Sequence, residues 1–286
     1  MNAAKQREIE EALGARVVTR VKAAGGDINE AESWALSDGR AIFVKTNRQA
    51  EKLPGLFEAE ADGLTALRNA STILGVPEVI AAGPTYLVLE MIEAGGKSSS
   101  FEEELGRGLA ELHRRSRRQS KYGFDGPNYL GRLPQDNTPT ETHVDFWRDR
   151  RLLPLIDRLS AYPAVVDLGR RLADRLDELI GGGDEPSVLI HGDLWSGNAC
   201  ADRDGRVWIY DPACLNTNRE VEFGMTRLFG FGPRFEAAYQ EVWPLQAGWE
   251  RRVEVYRLHH LLSHLWHFGG GYEPQCLSLL NRLVRS

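Results

Sequence analysis

A chain of 286 residues is near the largest size that a single hydrophobic core serves, and its 42% apolar content is enough to fill one, so one bilobal unit or two tightly packed domains is expected. The net charge of -6, from 41 acids against 35 bases, argues against a general nucleic-acid binder. Three widely separated cysteines, Cys200, Cys214 and Cys276, with no C-x-x-C pairing, encode neither a disulfide framework nor a structural zinc site and read as small buried hydrophobes.

The first segment, MNAAKQREIEEALG, is polar and amphipathic without the apolar core of a secretion signal, and nowhere do apolar residues run long enough to cross a bilayer. A cytoplasmic protein with no membrane partner is the expectation. ARVVTRVKAAGG, AESWALSD and RAIFVKTN carry β-branched and aromatic residues separated by turn residues at Gly25, Gly26, Asp38 and Gly39. They predict a three-stranded meander whose first turn is glycine-rich. FEAEADGLTALRNA follows as a helix with Phe57, Glu60, Leu64 and Leu67 on one face, and VPEVIAAG and TYLVLEMI as two strands around Gly83 and Pro84. Past EAGGKSSS, a Gly/Ser stretch fit for a hinge, the pattern turns helical. SFEEELGRGLAELHRRS opens on a capping-box-like Ser, and VDFWRDRRLLPLIDRL and VVDLGRRLADRLDELI are amphipathic. The basic run HRRSRRQSK, His113 to Lys121, reads as a solvated helix end. SVLIHGD and RVWIYDPA read as two short apolar strands around a turn at Asp204 and Gly205, and the remainder from Asn218 as helices broken by Gly and Pro. The expected fold is α+β and bilobal, with a small strand-rich lobe over residues 1–93 and a larger helical lobe over residues 94–286.

Phosphoryl transfer asks little covalent chemistry of a protein. Phosphates must be held, a divalent metal must meet hard oxygen ligands, and an acceptor hydroxyl must be aimed and relieved of its proton. An apolar strand running into His191-Gly192-Asp193 sets Asp193 on a loop at a strand end. Asn198, five residues on, can return an amide oxygen to the same cleft, and VWIY delivers Asp211 to a neighbouring strand end. If the two strands pair as a hairpin, Asp193, Asn198 and Asp211 converge as one base and two metal ligands. Taken singly, Asp193 and Asn198 are also ordinary turn residues and Asp211 an ordinary helix cap.

Lys45, which ends AIFVK, either runs to solvent or meets an acid. Glu60 is the partner that helical spacing offers, whereas Glu58 lies on the polar side with Asp62, and a Lys45–Glu60 pair would fix the α- and β-phosphates. AAGGDINEA, with Gly25 and Gly26, is either a loop that lays backbone N–H groups over phosphates or a plain hairpin turn. LVLEMIEAG is either a hinge whose backbone at Glu90 and Ile92 reads adenine or a buried strand. In HHLLSHLWHFGGGY, His260, His264 and His267 share a helical face, but no acid stands between them as in the zinc proteases. They read as core or acceptor-pocket histidines beside Trp266 and Phe268, with a metal site as the lesser alternative.

Together these stretches resemble the fructosamine kinase, or ketosamine kinase, family, within the protein-kinase-like fold that includes aminoglycoside and choline kinases. H-G-D-x-x-x-x-N at His191 to Asn198 and D-P-A at Asp211 to Ala213 are similar to the catalytic-loop and D-F-G motifs of kinases. The narrower likeness rests on GGDINEA, FVKTN, NYLGRLPQDN, FWRDRRLLP, HGDLWSGN with its Trp195, MTRLFGFG and LLSHLWHFGGGY, and it spans nearly the whole chain. The resemblance implies ATP and Mg²⁺. It implies that Asp193 accepts or orients the proton of a sugar 3-hydroxyl, that Asn198 and Asp211 hold Mg²⁺, and that Lys45, held by Glu60, grips phosphates under the Gly25–Gly26 turn. It further implies that Trp195, His264, Trp266 and His267 line the acceptor site.

The product so implied is a ketosamine 3-phosphate, which breaks down and frees the amine. The resemblance thus describes a deglycation enzyme for small ketosamines or glycated peptides and proteins, as a monomer or weak homodimer. Some family members carry a cysteine in the glycine-rich loop that allows a redox-controlled dimer; this chain has Asp27 there, so that switch is not available to it. Two alternatives stand beside this reading. A kinase for an aminoglycoside or choline is opposed by Trp195 and the Leu261 to Tyr272 segment, and a nucleotide-binding pseudokinase by the retention of Lys45, Asp193, Asn198 and Asp211.

Overall fold

Alternation along the first strands decides where the N-terminal lobe buries its apolar residues. The computed structural model describes residues 3–23, 29–118, 121–181 and 185–286. Helix α1 (Ala3–Leu13) precedes strands β1 (Val17–Lys22), β2 (Glu30–Leu36) and β3 (Ala41–Thr46), helix α2 (Leu56–Ala70), and strands β4 (Val79–Gly83) and β5 (Tyr86–Glu90). The strands form one antiparallel sheet in the order β1-β2-β3-β5-β4, which contains the expected meander. Residues two apart share a face. Ile42, Val44, Tyr86 and Val88 therefore join Ile9 of α1 and Trp34 in a small apolar cluster. Leu87 and Leu89 face the other way, into the cluster that holds Phe57, Leu64 and Leu67 of α2. Lys45 pairs across the strands with Leu87, and so lies on the α2 side.

The larger cluster continues into the helical lobe, where it takes in Leu105 and Leu109 of α3 (Phe101–Arg115). Ser100 gives that helix no side-chain cap; its hydroxyl donates instead to Glu104 at 2.6 Å. The basic run at the helix end is exposed at Arg114, Arg115, Arg117 and Arg118, but His113 turns inward and is fully buried. Next come the hairpin β6 (Asn128–Leu130) and β7 (Leu133–Gln135), helix α4 (His143–Phe146), a π-helical turn (Trp147–Leu152), and helices α5 (Leu153–Asp157), α6 (Pro163–Ala173) and α7 (Leu176–Ile180). Strands β8 (Val188–Ile190), β9 (Ala199–Ala201), β10 (Val207–Ile209) and β11 (Leu215–Thr217) then lead into helices α8 (Glu222–Phe229), α9 (Pro233–Val242), α10 (Trp249–Phe268) and α11 (Glu273–Arg285). Cys214 and Cys276 are buried and Cys200 half-buried. No helix among the described residues is long and apolar enough to cross a membrane.

The strands expected to pair as one hairpin do not. β8 pairs with β11 and β10 with β9, both antiparallel. Local turn chemistry favours β9 as the partner of β10: the Asp202 carboxylate accepts the N–H groups of Asp204 (3.0 Å) and Arg206 (2.9 Å), and Gly205 takes φ 87°. The loop between α2 and β4 and the segment that joins the lobes both dock on this β9–β10 hairpin. Gly75 donates to the Val207 carbonyl at 2.8 Å and accepts from Ile209 at 2.9 Å, and Gly95 donates to Ala201 at 2.8 Å.

A Cβ at Gly75 would stand 2.2 Å from the Trp208 ring, whereas one at Gly96 would meet nothing within 4 Å. Gly75→Ala is expected to cost about 1–3 kcal/mol, the range for overpacking a filled site. Urea midpoints followed by circular dichroism should show this loss, with Gly96→Ala close to wild type.

Candidate active site

The loop after β8 is built from a glycine, a neutral histidine and a buried carboxylate. Gly192 takes φ 81°, and a Cβ there would lie 2.2 Å from the Ala213 carbonyl oxygen. Glycine therefore lets the loop press against Asp211-Pro212-Ala213, whose Ala213 N–H donates to the His191 carbonyl at 2.9 Å. Burial lowers the His191 pKa and keeps the ring neutral. A neutral imidazole donates from one nitrogen and accepts on the other. Nε2 is 2.9 Å from the Tyr210 carbonyl, while Nδ1 accepts the Asp193 N–H at 3.3 Å, so the ring ties the end of β10 to the backbone of Asp193.

Beneath this loop lies Glu222, the first residue of α8, only 1% exposed. It accepts the His191 N–H on Oε2 at 2.6 Å and the Gly192 N–H on Oε1 at 3.0 Å. Burial works to raise its pKa, but His113, with Nε2 3.6 Å from Oε2, together with His191 holds it below the usual carboxylate range. The turn before α8 is fixed by two buried bidentate pairs, Arg219–Glu185 (2.6 and 2.7 Å) and Arg252–Glu220 (2.7 Å twice). Sequence reading passed over Glu222; the signal was a charged run, Arg219 to Glu222, leading directly into an apolar helix.

Asp193, Asn198 and Asp211 do converge, through the crosswise strand pairs. Asn198 donates from Nδ2 to the Asp193 carbonyl at 2.8 Å, and Asp193 Oδ2 and the Asp211 carbonyl both lie 3.4 Å from the same nitrogen. Asp211 takes φ 59°, a left-handed conformation that aspartate tolerates better than most residues. Lys45 Nζ stands 2.7 Å from Glu60 Oε1 and 2.6 Å from Asp211 Oδ1. At 4% exposure, desolvation opposes the lysine charge, yet the Asp211 and Glu60 carboxylates outweigh it and keep Lys45 protonated. Burial pushes the Glu60 carboxyl up while Lys45 pulls it back. The Asp193 carboxyl is raised well above its ordinary value by burial and by the Asp211 and Glu222 charges.

A cavity of ≈ 460 Å³ opens on these groups and is lined by Lys45, Glu60, Asp193, Asn198 and Asp211. Of the residues expected in the acceptor site, Trp195, His264 and His267 line it as well. Trp266 does not: it is half-buried against the core, its ring edge-on to His267 with centroids 4.7 Å apart. One residue along a helix turns the side chain by about 100°, which takes Trp266 off the face that His267 presents. His267 also clamps the β6–β7 hairpin, with Nδ1 2.8 Å from the Ser263 carbonyl and Nε2 accepting the Arg132 N–H at 3.0 Å. His260, expected on the same face, is buried at 3% exposure.

Neither Glu90 nor Ile92 lines this cavity. The Glu90 N–H goes to the Glu78 carbonyl (2.9 Å), and its carboxylate meets Arg68 (3.3 Å) and the Glu78 N–H (3.1 Å). Gly25 and Gly26 lie outside the described residues. Phe229, Tyr272 and the Asn128 to Gly131 stretch line the cavity without having been singled out for it from sequence.

A family model described as fructosamine kinase matches residues 1–286. The chain belongs to the fructosamine kinase family. Among its relatives is the chloroplastic protein-ribulosamine 3-kinase of Oryza sativa subsp. indica, 38% identical over 268 residues that cover 91% of this chain and 77% of the relative. A crystal structure from Thermobifida fusca YX-ER1, whose name places it with the fructosamine-3-kinases, is 33% identical, covers 98% of both chains and superposes with a TM-score of 0.88. A thermostable mutant of an aminoglycoside phosphotransferase, solved with AMP-PNP and hygromycin B, is 18% identical over 99% of this chain and 98% of its own, with a TM-score of 0.63. That likeness is one of fold. The fructosamine kinase family member described here is thus a bilobal, protein-kinase-like α+β enzyme, and its family is one of kinases.

In this fructosamine kinase family member, Glu222→Gln puts an amide NH₂ where a carboxylate oxygen accepts a loop N–H. The expected cost is about 1–3 kcal/mol of stability, as for a buried donor left unpaired. A fall in kcat of about 10- to 100-fold is expected from the misplaced Asp193 loop. Urea denaturation and steady-state kinetics check both, with KM for ATP near wild type because Lys45 and Glu60 are untouched.

Proposed function

We propose that this chain phosphorylates the sugar 3-hydroxyl of ketosamines with ATP and Mg²⁺, leading to deglycation. The observation that carries this reading is the convergence on one cleft of Asp193, Asn198, Asp211 and the Lys45–Glu60 pair in a member of the fructosamine kinase family. The residues suit the magnesium ion: carboxylate and amide oxygens are the hard donors it takes, and the charge crowding that raises Asp193 is what a divalent cation relieves. The Asn198 amide nitrogen is spent on the Asp193 carbonyl, which leaves its oxygen for the cation. Among the described residues no group of three or more His, Cys, Asp or Glu side chains could hold a metal by itself, so phosphate oxygens would complete the shell.

Bound Mg-ATP supplies the phosphoryl group and neutralises the charge that develops on its oxygens. The residues of the chain position and deprotonate. Lys45, fixed between Glu60 and Asp211, offers N–H donors to phosphate oxygens. Asp211 and Asn198 hold the cation. Asp193 takes the proton of the acceptor hydroxyl as that oxygen bonds to the γ-phosphorus and the bond to ADP breaks. Trp195 offers a ring face to the sugar, and the product is a ketosamine 3-phosphate that breaks down to free the amine. Free ketosamines and glycated peptides or proteins present the same reacting end, and a cytoplasmic site of action fits this chemistry.

Purified protein with Mg-ATP is expected to release ADP with a fructosamine or a ribulosamine and not with an aminoglycoside or choline. Asp193→Ala should lower that turnover by at least about a hundredfold, the usual cost of losing a positioned base, while a thermal shift with Mg-ATP persists. Turnover confined to the aminoglycoside or choline would overturn the acceptor assignment.

A further inference from the structure

Three arginines at the end of α3 and just beyond it, Arg115, Arg117 and Arg118, line a second cavity, of ≈ 710 Å³. It shares Ala59 and Asn128 with the cleft, but none of Lys45, Glu60, Asp193, Asn198 and Asp211 lines it. The guanidiniums at this cavity are left without counter-charges. Arg114, the arginine of the basic run that does not line it, meets Glu111 at 3.2 Å. The three that line it have no carboxylate partner among the described residues. Arg115 and Arg117 spend only Nε on hydrogen bonds, to the Ala70 and Arg114 carbonyls at 3.2 Å each, which leaves their terminal nitrogens free to donate. Arg117 is further steadied over the Trp243 ring, 5.4 Å from its centroid. The Arg118 side chain has no hydrogen-bond or ion-pair partner among the described residues.

Unpaired guanidiniums gathered at one cavity call for an oxyanion, and their planar forks match phosphate oxygens two at a time. Asp62 of α2 and Asp125 line the same cavity, exposed and likewise without an ion-pair partner among the described residues. Three guanidiniums against two carboxylates leave a small positive surplus, which favours one phosphate and disfavours a di- or triphosphate. The carboxylates accept hydrogens from hydroxyl groups, and the Asn69 amide can donate or accept. Phe124 and Pro127 add apolar surface for the C–H face of a ring. A phosphate, several hydroxyls and a small ring together describe a sugar monophosphate. We propose that this second cavity binds a sugar monophosphate, with its phosphate on Arg115, Arg117 and Arg118 and its hydroxyls on Asp62, Asp125 and Asn69. Its occupant is a ligand separate from the ATP and the acceptor of the cleft.

The test is a ligand-observed NMR titration of the full chain with fructose 6-phosphate, fructose and inorganic phosphate. Saturating Mg-AMP-PNP is present throughout, so that the phosphate-binding groups of the cleft are already engaged. Fructose 6-phosphate is expected to bind at least about tenfold tighter than either fragment, because it alone meets both the arginines and the acids. Arg118→Gln should weaken it at least about fivefold, the loss of a charged donor. Since that side chain holds nothing else in the fold, the melting temperature and the affinity for Mg-AMP-PNP should stay near wild type. Asp125→Asn should narrow the gap between fructose 6-phosphate and inorganic phosphate, because it weakens a hydroxyl acceptor and removes a charge that repels the anion. Absence of saturable binding overturns the proposal. Equal affinity for fructose 6-phosphate and inorganic phosphate overturns the sugar. Binding that Arg117→Gln and Arg118→Gln both leave unchanged overturns the site, since the ligand is then held elsewhere.

Discussion

The buried ammonium of Lys45 is the point on which the two lobes agree. It projects from β3, meets Glu60 on α2 and reaches Asp211 at the end of β10, so one charge joins the sheet, the helix behind it and the Asp211-Pro212-Ala213 turn. Taking an ammonium out of water costs several kcal/mol that pairing only roughly repays. Such a triad therefore contributes little net stability but fixes geometry, because removing Lys45 would leave the buried Glu60 carboxylate beside Asp211 with no counter-charge. Its surroundings enforce the arrangement: Leu87 lies across from Lys45 on the same face of the sheet, and Phe57 and Leu64 of α2 pack into the same apolar cluster.

The second constraint acts from below. Asp193 sits on a backbone held at three points: by the Glu222 carboxylate through His191 and Gly192, by the His191 ring through Asp193 itself, and by the Asn198 amide through the Asp193 carbonyl. Each is a polar group buried with its partner in place, the condition under which burial does not destabilise. The network extends outward through His113, whose Nδ1 is 2.8 Å from the Tyr239 hydroxyl. The Asp193 carboxylate is thus positioned by a polar layer inside the helical lobe, while the sheet lobe contributes the lysine.

Between these two anchored ends the cleft changes character. One part is crowded with carboxylates that call for cations; the other is built from Trp195, Phe229, Phe268, Tyr272 and a histidine with a lone pair to offer. Polar and aromatic parts side by side suit a substrate that reacts at a hydroxyl and is carried on an amine. The lobes cannot drift apart at this boundary without breaking the hydrogen bonds of Gly75 and Gly95 to the β9–β10 hairpin, which also leads into Asp211.

Much of this was legible in the chain alone, for a local reason. Period-two and helical spacings set which residues of a segment share a face, so the meander, α2 with Glu60 inward, and the strand ends bearing Asp193 and Asp211 follow from neighbours in sequence. Residue chemistry at fixed spacing likewise marked Lys45 and Asn198, and the family resemblance marked Trp195. What spacing does not carry is which distant segment supplies the partner. β8 chose β11, and β10 chose β9 because the Asp202 side chain builds a tight turn, although both apolar strands read alike in sequence. Glu222 became the support of the His191–Asp193 loop only because α8 packs beneath residues some thirty positions earlier. Trp266 and His267, adjacent in sequence, parted by one step of the helix, and the free nitrogen of His264 depends on a hydrogen bond that its spacing alone does not reveal. Sequence fixes the faces of each element; the tertiary structure decides what each face meets, because those contacts join residues far apart along the chain.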